Sequence, residues 1–168
     1  MWFLALLPFF LQALCIFIDE GYFHHKRGLP KWERIGHPLD TFSVILCMGW
    51  VVFVPFSLTA LKIYIALAIF SCVLVTKDEF VHKHHCPASE NWLHAFLFML
   101  HPITLAISSF IWITLHGNEV PSWLSWWLDK PVILHWFLQG QLLFMGLFLI
   151  YQILFWNFLW KEKKVVKF

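Results

Sequence analysis

Apolar positions along this chain do not alternate with polar ones; they run together in five long blocks. The first is Met1–Ile18, closed by Asp19 and Glu20. The second begins near Thr41 and ends at Val54-Pro55, and the third runs from about Leu58 to Thr76. The fourth starts at Ser89 and reaches about Leu115, with Pro102 inside it, and the fifth runs from Pro131 to Trp160. Each approaches the roughly 20 apolar residues needed to cross a bilayer as a helix. Polar punctuation lies between the blocks. Pro55 and Ser57 read as a stop and a new N-cap, Ser89 as the cap of the fourth helix, and Gly117–Lys130 as a connector whose Trp123, Trp126 and Trp127 suit a membrane interface. The pattern predicts an all-α integral membrane bundle of about five transmembrane helices, within one domain of 168 residues.

Composition sharpens this. Hydrophobic residues make up 60% of the chain, charged residues 13%, and mean hydropathy is +0.70. A soluble chain carries about 25% charge, and one of this size has too much surface to hide such an apolar content. A soluble enzyme, a disordered chain and a disulfide scaffold are excluded, and a net charge of +2 argues against nucleic acid as a partner. The first block has no Lys or Arg before it, unlike a signal peptide, and reads as a short span that continues to about His25. Cys15, Cys47 and Cys72 fall in apolar blocks and read as packing residues; Cys86 reads as a packing or exposed thiol.

The basic residues set the expected orientation. Lys26, Arg27, Lys31, Arg34, Lys77, Lys83, Lys161, Lys163, Lys164 and Lys167 all fall on one side of a five-span topology, leaving only Lys62 and Lys130 on the other. The positive-inside rule puts that side, including the C-terminus, in the cytoplasm and the N-terminus outside.

Ten histidines need their own explanation. They fall into an internal repeat of two helical hairpins, about residues 1–57 and 58–116, followed by the fifth helix and basic tail over 117–168. The first copy carries Asp19-Glu20, His24-His25, Glu33 and His37; the second carries Asp78-Glu79, His82, His84-His85, Glu90 and His94. Glu20/His24, Glu33/His37 and Glu90/His94 are four apart, and Glu79/His82 three apart, so each pair shares a helix face. Four helices thus offer a Glu–His pair at one end of the bundle. A carboxylate–imidazole set suits iron, with zinc or manganese as alternatives. Di-iron sites in helical bundles draw on a comparable inventory of Glu and Glu-x-x-His residues. The expected ligands are therefore Glu20, His24, His25, Glu33, His37, Glu79, His82, His84, His85, Glu90 and His94, around two iron ions.

His101 continues the Glu90/His94 stripe about 10 Å deeper and is expected to act in a second shell or at a deep site of its own. On the fifth helix His135, Gln139 and Asn157 share a face expected to pack inward.

The segment Glu79-Phe80-Val81-His82-Lys83-His84-His85, with His24-His25 in the other hairpin, resembles the histidine boxes of integral-membrane non-haem di-iron enzymes, the class of lipid desaturases and of sterol, alkane and carotenoid hydroxylases. The resemblance implies a di-iron oxidoreductase with its site on the cytosolic side, acting on a lipid-like or other apolar membrane substrate. No flavin or dinucleotide motif is visible, so the electrons must come from an external donor. Three other readings stay open: a divalent-metal transporter or sensor drawing on His101, His116 and His135; a b-type haem protein with His101 and His135 as axial ligands; and a small accessory subunit of a membrane complex. Oligomeric state is left open.

Overall fold

The computed structural model describes residues 1–80 and 86–160, apart from the Asp78 side chain. His82, His84 and His85 therefore lie outside the described residues. No strand occurs among those described, and five helices are long and apolar enough to cross a membrane. The chain is an all-helical bundle of a kind compatible with an integral membrane protein.

The first span, α1 (Trp2–Arg27), is helical throughout but not uniform. A 3-10 turn over Trp2–Leu6 leads into regular α-helix over Leu7–Ile18, a π-helical stretch over Asp19–His24 and a last turn at His25–Arg27. Gly28 then ends it at φ 74°, ψ 158°, a backbone conformation open in practice only to glycine. Helix α2 (Lys31–Phe53) starts some ten residues before the apolar block that announces it. Its first two turns are polar because they lie in the charged cluster described below, where hydropathy is no guide. Helix α3 (Leu58–Val75) begins at Ser57, whose side chain accepts from the Ala60 amide, the expected cap. Helix α4 (Ala88–His116) is capped by Pro87 rather than Ser89 and runs unbroken through Pro102. The connector holds a short helix, α5 (Ser122–Trp127). The last span, α6 (Pro131–Leu154), extends as a π-helical turn over Phe155–Leu159.

Helix α4 is the axis of the bundle: it touches α1, α2, α3 and α6. Cys47, Val51, Ile111, Trp112, Leu134 and Leu138 form a tight interior, while large apolar side chains such as Phe53, Phe70 and Leu147 point outward, as a lipid solvent permits. In a lipid solvent burial of apolar surface would do little to bring helices together, and packing of small residues and interhelical hydrogen bonds would matter more. Ser43 on α2 bonds to Ser71 on α3, and Ser71 to His101 on α4. Thr41 donates to Gln152 across α2 and α6, and Tyr64 donates to the Leu105 carbonyl. The inward face expected on the fifth helix is not found: Gln139 and Asn157 are exposed and His135 only half-buried. Gln152, on the regular helix, and Trp156, on the π turn four residues later, face inward instead.

Candidate metal centre

The polar end of the bundle buries a dense charge cluster. Asp19, Glu20, His24, Arg27, Glu33, Glu90 and His94 are all buried, with Glu33 and Glu90 fully so. The two hairpins contribute equivalent starts. Both α2 and α4 open behind a proline, Pro30 and Pro87, with Glu as their third residue and His as their seventh. Glu33 and Glu90, and likewise His37 and His94, are 57 residues apart in the sequence, and this local match is what that spacing encodes.

The side chains fall into two overlapping groups. Asp19, His24, Glu90 and His94 each bring a ligand atom within 4.8 Å of the others, as do His24, Glu33 and His37. In the first group His24 Nε2 lies 3.2 Å from Asp19 Oδ2 and 3.9 Å from Glu90 Oε1, and His94 Nε2 lies 3.1 Å from Asp19 Oδ2. A tetrahedral ion with bonds of about 2.1 Å holds its ligand atoms about 3.4 Å apart. These three separations bracket that spacing. In the second group the His24 and His37 rings stack at 4.8 Å, and His37 Nε2 lies 3.8 Å from Glu33 Oε2.

Glu20 belongs to neither group. It accepts from His24 Nδ1 at 3.0 Å and from the Trp156 indole. With its Nδ1 proton so committed, a neutral His24 directs the Nε2 lone pair at two carboxylates. That contact repels unless a cation or a proton lies between. A carboxylate fixing one ring nitrogen so that the other can ligate is the common second partner of metal-bound histidine. Nor does Asp19 Oδ1, itself buried, have a hydrogen-bond partner among the described residues.

Arg27 answers part of the negative charge. Its guanidinium donates to Glu90 Oε1 at 2.8 Å and to Glu33 Oε2 at 2.6 Å through one nitrogen, and to Glu90 again through Nε at 3.0 Å. It thereby joins the first turns of α2 and α4. Four buried carboxylates against one arginine leave three negative charges in excess when the histidines are neutral. Cys86 lies beside this cluster; burial pushes its thiol above the ordinary thiol range, with Arg27 pulling the other way and Glu90 and Glu33 adding to the rise.

The remaining expected ligands are placed elsewhere. His25 donates from Nδ1 to the Glu20 carbonyl at 2.8 Å and packs against Phe155, Trp156 and Trp160. Glu79 is exposed and joins neither group; the 3-10 turn at Thr76–Asp78 breaks the helical phase before it. His101 is buried and bonded to Ser71, deeper than either group. His135 packs against His116 at the opposite end, at a ring separation of 6.0 Å. His116 is fifteen residues from His101 along α4, or about 22 Å, so His101 and His135 are not placed to hold one haem between them.

The pattern of the sequence missed two contributors. Asp19 and His24 are five residues apart, about 140° around an α-helix, so an α reading pairs His24 with Glu20 instead. The π stretch over Asp19–His24 brings both inward. Arg27 looked like one more interfacial cation, since its partner Glu90 is 63 residues away.

A cavity of about 180 Å³ opens from the cluster into the bundle. Asp19, Glu20, His24, His37 and His94 line one end; Phe17, Met48, Phe98, Leu105, Phe144 and Met145 are among the residues lining the rest. No family model, characterised protein or solved structure matches this chain.

Proposed function

We propose that this chain is a membrane-embedded, metal-dependent oxidoreductase acting on an apolar substrate, with iron held by Asp19, His24, Glu90 and His94. One observation carries the reading: a buried two-histidine, two-carboxylate set whose ligand atoms all lie within 4.8 Å of one another sits at the polar end of a cavity whose other walls are largely apolar. The donor set fits a first-row dication. Imidazole and carboxylate together suit iron, manganese or zinc, and sites with two histidines, a carboxylate and open positions are typical of non-haem iron. A dication also removes two of the three excess charges, which are costly to bury uncompensated.

The reading narrows the expected two ions to one. His24 is common to both groups, and Arg27 already places a positive charge 2.6 Å from Glu33 Oε2, the oxygen that faces His37 in the second group. A bound iron would supply the redox chemistry toward C–H bonds. The protein's own residues do the rest. Glu20 orients His24, Arg27 fixes Glu90, and Phe17, Phe98 and Phe144 exclude water and present an apolar chain to the polar end. An external donor supplies electrons, and the basic segments put the cluster on the cytoplasmic side.

The clamp of Arg27 on Glu33 and Glu90 favours a second reading, in which the cluster is a structural charge network with a protonated His24 between Asp19 and Glu20. Metal analysis with an absorption spectrum of the purified protein separates the two. The proposal expects about one iron per chain and no Soret band, lost in His94→Ala and in Asp19→Ala and retained in His116→Ala. Equal metal content in all of them, or none in the parent, sinks it. One zinc per chain instead removes the redox reading and keeps the site.

A further inference from the structure

The cavity is walled by α1 and α6 among other helices, yet these two scarcely meet. Helix α1 packs closely on α4, and α6 on α2 and α4, but the backbones of α1 and α6 make little contact with each other. They run parallel. Trp156 reaches Glu20 at the polar end, and the Met1 amino group faces Asp129 at the opposite end, 3.8 Å away.

What joins them is a ladder of phenylalanines. Phe10 contacts Phe137 at a ring separation of 5.9 Å, and Phe17 contacts Phe144 at 5.9 Å. Phe10 and Phe17 are seven apart, as are Phe137 and Phe144, so the two contacts lie about 10 Å apart along a shared register. Between the rungs that register sets Ala13 level with Gly140. Phe10, Ala13 and Phe17 follow the spacing of a single helix face.

Small residues between membrane helices commonly mark close backbone approach. Here they do not. A Cβ placed on Gly140 would meet nothing within 4 Å, and Ala13 and Gln141 line the cavity rather than a helix contact. Gly140 is exposed and Ala13 half-buried against the cavity, so between the two aromatic rungs only small side chains separate the cavity from the surroundings, which part-way along a membrane helix are hydrocarbon.

We propose that the gap bounded by Phe10–Phe137, Ala13, Gly140 and Phe17–Phe144 is a lateral portal that admits the hydrocarbon chain of a membrane lipid, acyl or isoprenoid, into the cavity. This deepens the proposed function by naming its substrate class. The portal suits a linear chain, because the wall beyond it is apolar and the donor groups lie at one far end. Once inside, the chain lies along Phe17, Met48, Phe98 and Met145 with one segment against the polar end.

The test uses the full-length protein in phosphatidylcholine vesicles. It is irradiated with a diazirine-tagged acyl phosphatidylcholine or a diazirine-tagged polyprenol, and adducts are mapped by mass spectrometry. The expected result is adducts on the cavity residues Phe17, Met48, Phe98 or Met145, and the probe that delivers them tells acyl from isoprenoid. Gly140→Phe should lose these adducts, whereas Leu143→Phe, also exposed on α6 but not level with Ala13 between the rungs, should keep them. Adducts confined to outward residues such as Leu143 and Leu147, equal loss in both variants, or full retention in Gly140→Phe overturns the proposal. The adduct map of the parent protein decides the matter even where Gly140→Phe fails to fold. His94→Ala keeps the two proposals apart: it should lose metal and keep the cavity adducts. Adducts without metal in the parent leave the portal standing and the metalloenzyme reading refuted.

Discussion

Removing Arg27 isolates the energetics of the cluster from its chemistry. In Arg27→Leu, Glu33 and Glu90 lose the guanidinium that both now contact within 2.8 Å, and each carboxylate stays fully buried. Breaking a buried ion pair by deleting one partner costs about 3–5 kcal/mol, since the survivor remains as an unpaired charge. Here two survivors face each other, which puts the expected loss at the upper end of that range. In a chain of 150–250 residues 1 kcal/mol moves the midpoint by about 2–4 °C, so a loss of about 5 kcal/mol predicts a drop of about 10–20 °C. The measurement is thermal unfolding in detergent at fixed scan rate, with chelator present so that metal does not contribute. Arg27→Lys keeps the charge but not the planar fork that reaches two carboxylates, and should fall between. The triple variant Arg27→Leu, Glu33→Gln, Glu90→Gln removes the charges together and should regain most of the loss. A drop of under about 2 °C in Arg27→Leu, or no recovery in the triple variant, would show that the clamp does not hold α2 to α4.

Three further outcomes follow from single positions. Gly28→Ala forces a Cβ onto a backbone at φ 74° and should cost about 1–3 kcal/mol in the same assay, through strain alone, because the nearest atom to that Cβ is 3.9 Å away. In a variant keeping only Cys86, maleimide labelling should be slower than for a free thiol at pH 8 and should rise with pH beyond the usual thiol range, because burial raises its pKa and only the thiolate reacts; labelling as fast as a free thiol refutes this. A reporter fused at the C-terminus should be active only in the cytoplasm, as the positive-inside rule expects from the ten-to-two division of basic residues along the sequence; activity outside refutes that orientation.

Much of the architecture was legible because it depends on local chemistry. Apolar blocks of bilayer length specify spans without reference to any partner, and Ser57 caps α3 by bonding a backbone amide three residues on. The Glu33/His37 and Glu90/His94 pairs could be read from spacing alone, since both lie on regular α-helix. Their convergence on one centre was implied by the repeat, but the membership of that centre was not. Asp19 enters only because one turn of α1 is π rather than α, and residue spacing does not announce such a turn. Arg27 and Trp156 take their roles from Glu90 and Glu20, 63 and 136 residues away. Glu79 matches Glu20 in the repeat yet ends up exposed, because the helix phase changes just before it. Periodicity assigns a residue to a face of its own helix. Which faces then meet, and which carboxylate is left facing a histidine rather than an arginine, is set by the angles and offsets at which the helices pack, and only the tertiary structure holds those.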